Sequence, residues 1–107
     1  MKQEESKDRR IFSRLPARFT LKYLDANSSQ EGQGLAQDIS VKGVGFDTSA
    51  LLLPHTALEM WLEVPDTSQK IYTRGEVVWS RMVEPGRYRS GVNLERADFK
   101  DIVDLQL

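Results

Sequence analysis

The run Leu58-Glu59-Met60-Trp61-Leu62-Glu63-Val64 alternates without a break, which puts Leu58, Met60, Leu62 and Val64 on one side of an extended chain. A period of two marks a strand with one face in a core and the other in water. Phe19-Thr20-Leu21-Lys22-Tyr23 has the same period, and Gly34 to Ile39 and Val44 to Asp47 read as two strands meeting at a bend over Ser40 to Gly43. Gly43 and Gly45 suit a backbone that turns sharply or approaches something closely. Ala50 to Leu53 forms an apolar cluster stopped by Pro54. The longest candidate strand runs from Ile71 to Met82, with Val77 and Trp79 expected on one face and Tyr72, Arg74, Glu76 and Val78 on the other. Pro85-Gly86 then bends the chain back into Tyr88 to Leu94, while Asn27 to Gly32 and Pro65 to Ser68 are turns by composition. In the tail, Phe99, Ile102 and Val103 have helical spacing, and Asp98 could cap a short amphipathic helix there. Six or so short strands followed by one helix predict an all-β fold, an antiparallel β-barrel with a short C-terminal α-helix.

The 107 residues suit one compact domain, and 39% hydrophobic content supports a modest core without metal or disulfides. Residues 1–8 are polar and aperiodic and read as a disordered leader, leaving 9–107 as a single domain. There is no cysteine, hence no thiol nucleophile, disulfide framework or thiolate metal site. No apolar run approaches a bilayer span and no signal-peptide core is present, so the expectation is a cytoplasmic domain without membrane insertion. Fifteen basic and sixteen acidic side chains give a net charge of −1, which does not favour a long polyanion and argues against nucleic acid as a partner. The charge is nevertheless uneven. Arg9, Arg10, Arg14, Arg18 and Lys22 lie in a stretch free of acids, a local cationic patch that favours a small anion.

Two motifs carry chemistry. In Arg9-Arg10-Ile11-Phe12-Ser13-Arg14, Arg10 and Arg14 lie four apart on a segment where Pro16 discourages a helix. Planar guanidinium forks match phosphate oxygens and the O6/N7 edge of guanine; the plainer alternative is a solvated basic leader. In Asp38-Ile39-Ser40-Val41-Lys42-Gly43 a carboxylate, a hydroxyl and a glycine share one turn. They could accept from guanine N–H groups, donate to a phosphate or ring atom, and leave room for close approach. A turn stabilised by its own side chains explains the same three residues without a ligand. His55, the only histidine, has no cysteine or second histidine to make a metal site. No nucleophile, base and metal combination points to an enzyme.

These two motifs in this order, followed by Gly75-Glu76-Val77-Val78-Trp79-Ser80-Arg81 and Tyr88-Arg89-Ser90-Gly91-Val92, closely resemble the PilZ domain pattern of R-x-x-x-R and then [DN]-x-S-x-x-G. The resemblance covers residues 9 to 105. It implies a six-stranded β-barrel with a C-terminal helix that binds the bacterial second messenger cyclic di-GMP as a ligand, with no cofactor. It assigns Arg10 and Arg14 to guanine and phosphate, and Asp38, Ser40 and Gly43 to the opposite wall. Trp79 and Arg81 match positions that stack on or clasp a guanine in some members, core packing being the alternative for Trp79. Arg9 matches members able to hold an intercalated ligand dimer, which implies two ligands per domain. Leu94 stands where a phenylalanine is frequent, a difference that bears on packing.

The expected function is therefore a non-catalytic receptor whose arginine-rich arm closes over cyclic di-GMP and relays the signal to a protein partner. Two rivals belong to other classes. One is a PilZ-like protein-interaction module that does not bind nucleotide, and the other is a small barrel binding single-stranded nucleic acid, which would need a longer track of basic and aromatic residues.

Overall fold

The computed structural model describes residues 15–40, 42–67 and 69–95. The expected leader, Arg9, Arg10 and Arg14 of the arm, and the C-terminal helix lie outside them. A two-residue strand β1 (Leu15–Pro16) precedes six longer ones: β2 (Thr20–Asp25), β3 (Glu31–Ile39), β4 (Gly43–Thr48), β5 (Ala57–Glu63), β6 (Lys70–Glu84) and β7 (Arg87–Leu94). They pair in the order β3-β2-β5-β6-β7-β4, and β4 pairs back onto β3. Every pairing is antiparallel. This is the expected six-stranded antiparallel barrel, and closing the ring removes the edges that an open sheet would expose. β1 adds to the far end of β3, where Leu15 faces Ile39 and Pro16 faces Asp38.

Alternation decides what fills the barrel. Leu58, Met60 and Leu62 of β5 point inward and are buried, with Val64 following, as the sequence pattern requires. Leu21 and Tyr23 of β2, Val44 and Phe46 of β4, Val77 of β6 and Val92 of β7 meet them. In a barrel this narrow, side chains fill the interior. The rings of Tyr23 and Phe46 pack with centroids 5.9 Å apart. The buried Tyr23 hydroxyl lies 3.4 Å from Thr48 Oγ1, which itself donates to the Gln33 carbonyl at 2.7 Å. The polar groups brought into the core by β2 and β4 are thereby matched to each other.

The turns follow local chemistry. Asp25 Oδ1 accepts from the amides of Asn27 (2.8 Å) and Ser28 (3.2 Å), and these bonds hold its carboxyl below the usual value. Pro85 and Gly86, the latter at φ 81°, join β6 to β7 with the residue choice of a type II turn. Most strand ends fall within one or two residues of the sequence reading, and the larger differences are in β3 and the 50–53 cluster. β3 begins at Glu31 instead of Gly34, because Glu31 and Gly32 pair with Leu24 and Tyr23 of β2. In the 50–53 cluster only Leu52 is buried; Leu51 and Leu53 stay exposed. No helix among the described residues is long and apolar enough to cross a membrane.

The register shifts at three places in the barrel wall; one lies between Met82 and Glu84 beside the β6–β7 turn, and the other two are β-bulges that shape the outer face. On β3, Ala36 faces Phe46 and Asp38 faces Gly45, so Gln37 is the extra residue. On β6, Val77 faces Val92 and Trp79 faces Gly91, so Val78 is the extra residue. Each bulge reverses the parity of the strand beyond it.

Candidate functional site

Ala36 and Val77 are fully buried, so unbroken alternation would also carry Asp38 and Trp79 into the core. The two bulges turn both side chains out instead. This corrects the expectation that Val77 and Trp79 share a face: Val77 is inside, and Trp79 lies outside with 39% of its surface exposed. The registers then align four residues across four neighbouring strands: Asp38 (β3), Gly45 (β4), Gly91 (β7) and Trp79 (β6). At the usual strand spacing this row spans roughly 15 Å.

The two central glycines let the outer side chains lie down on the wall. A Cβ on Gly91 would fall 2.4 Å from Trp79 Nε1, and one on Gly45 would fall 2.9 Å from Asp38 Oδ1. The result is a shelf in which an indole rests over Gly91 and a carboxylate over Gly45. An exposed aromatic face offers stacking to a base, and a carboxylate accepts from the N–H edge of a purine.

Cations sit one row along. The Arg81 guanidinium carbon lies 5.5 Å from the centroid of the Trp79 ring, within cation–π range. Arg89 is the register partner of Arg81 on one side and of Asp47 on the other. Asp47, only 7% exposed, accepts from Arg89 Nε at 2.6 Å and Nη2 at 3.0 Å, and from Arg87 Nη1 at 2.6 Å. The forked Arg89 bond, with Arg87 adding to it, holds the Asp47 carboxyl below its ordinary value against the opposing pull of burial. Arg89 is raised in turn, first by that bond, and it also feels Asp38.

Behind the shelf, on the inner side, the Ser90 hydroxyl donates to Ser80 Oγ at 2.9 Å, and the Leu52 amide donates to the same oxygen at 3.3 Å. This pins β6, β7 and the 49–56 loop immediately behind Trp79.

The Ser40 turn is held by its own side chain. Ser40 Oγ accepts from the amides of Lys42 and Gly43, both at 3.2 Å, and the Ser40 amide donates to the Gly43 carbonyl at 2.8 Å. Ser40 is 3% exposed. The turn delivers Gly43 into β4 with Gly43 and Gly45 on the same outer face as Asp38.

Of the residues singled out from sequence, Asp38, Ser40, Gly43, Trp79 and Arg81 are brought to one end of the barrel wall. Arg9, Arg10 and Arg14 lie outside the described residues. Sequence reasoning does not select Asp47, Arg87 and Arg89, nor the floor residue Gly91, although Tyr88 to Val92 matches the last hairpin of the family pattern. The available signal is two arginines alternating on a strand opposite an aspartate, visible only once β4 and β7 are known to pair.

His55 Nδ1 lies 3.0 Å from Glu76 Oε2 in an exposed pair. A concavity of about 310 Å³ opens elsewhere on the barrel, beside Leu58, Gly75 and Leu94. It is rimmed by Glu59, Glu76 and Glu95 with a single arginine, Arg74, which makes it a poor seat for an anion.

The PilZ domain family model matches residues 8–106. Among solved structures, the chain is similar to the PilZ domain with c-di-GMP of YcgR from Escherichia coli, at TM-score 0.66 and 12% identity, covering 91% of this chain and 86% of that one. It is also similar to the PilZ domain of CeSA from a cellulose-synthesizing bacterium, at TM-score 0.60 and 16% identity, covering 86% and 89%. No curated protein matches the chain.

Proposed function

The chain belongs to the PilZ domain family, and from that premise we propose that it is a receptor domain for cyclic di-GMP. The observation that carries this reading is the row Asp38–Gly45–Gly91–Trp79. Two bulges turn a carboxylate and an indole out of the core, and two glycines seat them side by side on the wall. A guanine needs such a pair, one group to accept from its N1–H and amino group and one to stack on its face. The similar YcgR domain was solved with c-di-GMP. Its likeness at this identity extends to the fold, and the case for the ligand rests on the family and on this chain's own residues.

In this reading Arg10 and Arg14 grip guanine and phosphate from the N-terminal arm, and Asp38, Ser40 and Gly43 line the facing wall. Trp79 and Arg81 stack on and clasp a base. Arg9 supports a second, intercalated ligand. The arm is mobile when empty, closes on binding and changes the surface offered to a protein partner. Amide-exchange protection of residues 9–18 that does not change at saturating nucleotide is the result against closure.

The test of the receptor reading is titration calorimetry with cyclic di-GMP on the wild type and on Arg14→Ala. Binding by the wild type that disappears in the variant is the expected result, with two nucleotides per chain if Arg9 supports the second ligand. A folded wild type that gives no heat removes the receptor reading and leaves the protein-interaction module in its place.

A further inference from the structure

Arg81 and Arg89 are direct register partners on β6 and β7, so two guanidiniums project from adjacent positions on the same outer face. Like charges placed opposite each other destabilise a sheet. Arg89 is compensated by Asp47, whereas Arg81 makes no ion pair among the described residues and rests against Trp79. The patch thus sets two carboxylates, Asp47 and Glu84, against Arg81, Arg87 and Arg89, with Glu84 Oε2 accepting from Arg87 Nε at 3.3 Å. It lies one row from the shelf formed by Asp38 and Trp79.

The geometry of the Asp47 contact is specific. Arg89 meets the carboxylate through Nε and Nη2, one edge of its planar fork. The remaining N–H groups, on Nη1 and the outer side of Nη2, must then point away from Asp47. Arg87 donates Nη1 to the same Oδ2 and so helps fix the carboxylate. Asp47 is 7% exposed while Arg89 is 31% exposed: the anchor is in the wall and the cation it holds is at the surface.

We propose that Asp47 is a positioning residue for the ligand site: it holds Arg89 by one edge so that the opposite edge meets a phosphate oxygen or guanine acceptor of a nucleotide seated on the Asp38–Trp79 shelf. Arg89 is then a further ligand-contacting residue beyond the two motifs, and Arg81 and Arg89 clasp the anion from adjacent strands. The incoming negative charge also relieves the repulsion between them. This inference rests on the receptor reading.

The test is titration calorimetry with cyclic di-GMP on the full chain for the wild type, Arg89→Ala, Asp47→Asn, Asp47→Glu and the Asp47→Asn/Arg89→Ala double variant, with thermal melting to confirm that each is folded. Arg89→Ala is expected to weaken binding about tenfold or more, the scale of one charge-assisted hydrogen bond. Asp47→Asn is expected to weaken it by a smaller factor and Asp47→Glu to recover most of that loss. The double variant should bind like Arg89→Ala alone, because Asp47 acts through Arg89. A purely structural Asp47 would lower the melting temperature and leave the affinity of the folded protein unchanged; that result, or losses that multiply in the double variant, overturns the proposal. Wild-type binding with unchanged affinity in Asp47→Asn and Arg89→Ala removes this inference and keeps the receptor. Absence of wild-type binding removes both.

Discussion

The indole of Trp79 occupies the place that a side chain on Gly91 would need: a Cβ there would sit 2.4 Å from Nε1 and 2.6 Å from Cε2. Gly91 is buried in the ladder between Gly45 and Trp79, so a side chain there must be taken up by moving the ring off the wall. The position of the exposed indole is therefore set by a residue that has no side chain of its own.

Gly91→Ala is expected to destabilise the domain by about 1–3 kcal/mol through overpacking and to weaken cyclic di-GMP binding by displacing the ring. Chemical denaturation and calorimetry read the two effects. Adding Trp79→Ala to Gly91→Ala should recover part of the lost stability and none of the binding.

Tryptophan fluorescence separates the two faces of the barrel. Trp61 packs against Tyr72 on the β5–β6 wall, away from Asp38, with ring centroids 5.5 Å apart and planes tilted by 56°. Nucleotide titration should change the emission of the wild type and of Trp61→Phe, and leave that of Trp79→Phe nearly unaltered.

Ser40→Ala removes the oxygen that accepts from two amides of the Asp38–Gly43 turn. A loss of about 1–2 kcal/mol is expected, since those donors lose a buried acceptor. Urea denaturation measures it. A loss below about 0.3 kcal/mol, well short of one net hydrogen bond, would show that the bonds from the Ser40 and Gly43 backbone hold the turn without the hydroxyl.

The folded state depresses the Asp47 carboxyl, so the stability it supplies is fully present above the unfolded value and fades as pH falls through the folded one. The stability gap between wild type and Asp47→Asn should be about 1–3 kcal/mol near neutrality and should narrow below about pH 4. Denaturation curves at roughly pH 7 and pH 3, on either side of the ordinary carboxylate range, make the comparison. A gap that is the same at both removes the ionic account of the Asp47–Arg89 contact.

Much of the barrel is legible in the sequence because its signals are local. The alternation of β5 names its own buried residues, and Pro85-Gly86 names its own turn. The Asp38–Gly43 motif likewise sits where a short turn must. Alternation alone assigns Trp79 to the wrong face, for a physical reason. A bulge is a property of two strands counted against each other, and Val78 looks like any other strand residue until β7 supplies one partner for two positions. Asp47 and Arg89 escape for a related reason: they are 42 residues apart, and only the β4–β7 pairing makes them neighbours.

That pairing has a kinetic consequence. β4 is inserted between β3 and β7 and completes the ring, so the shelf and its cations belong to the most sequence-distant contacts in the barrel. Such contacts must overcome the largest loop-closure entropy before they return any energy. A chain that had formed only the β5–β6 and β6–β7 hairpins would hold Trp79, Arg81 and Arg89 without Asp38, Gly45 or Asp47. A ligand that needs both halves recognises only the finished ring, and its binding energy adds to the global stability of the domain.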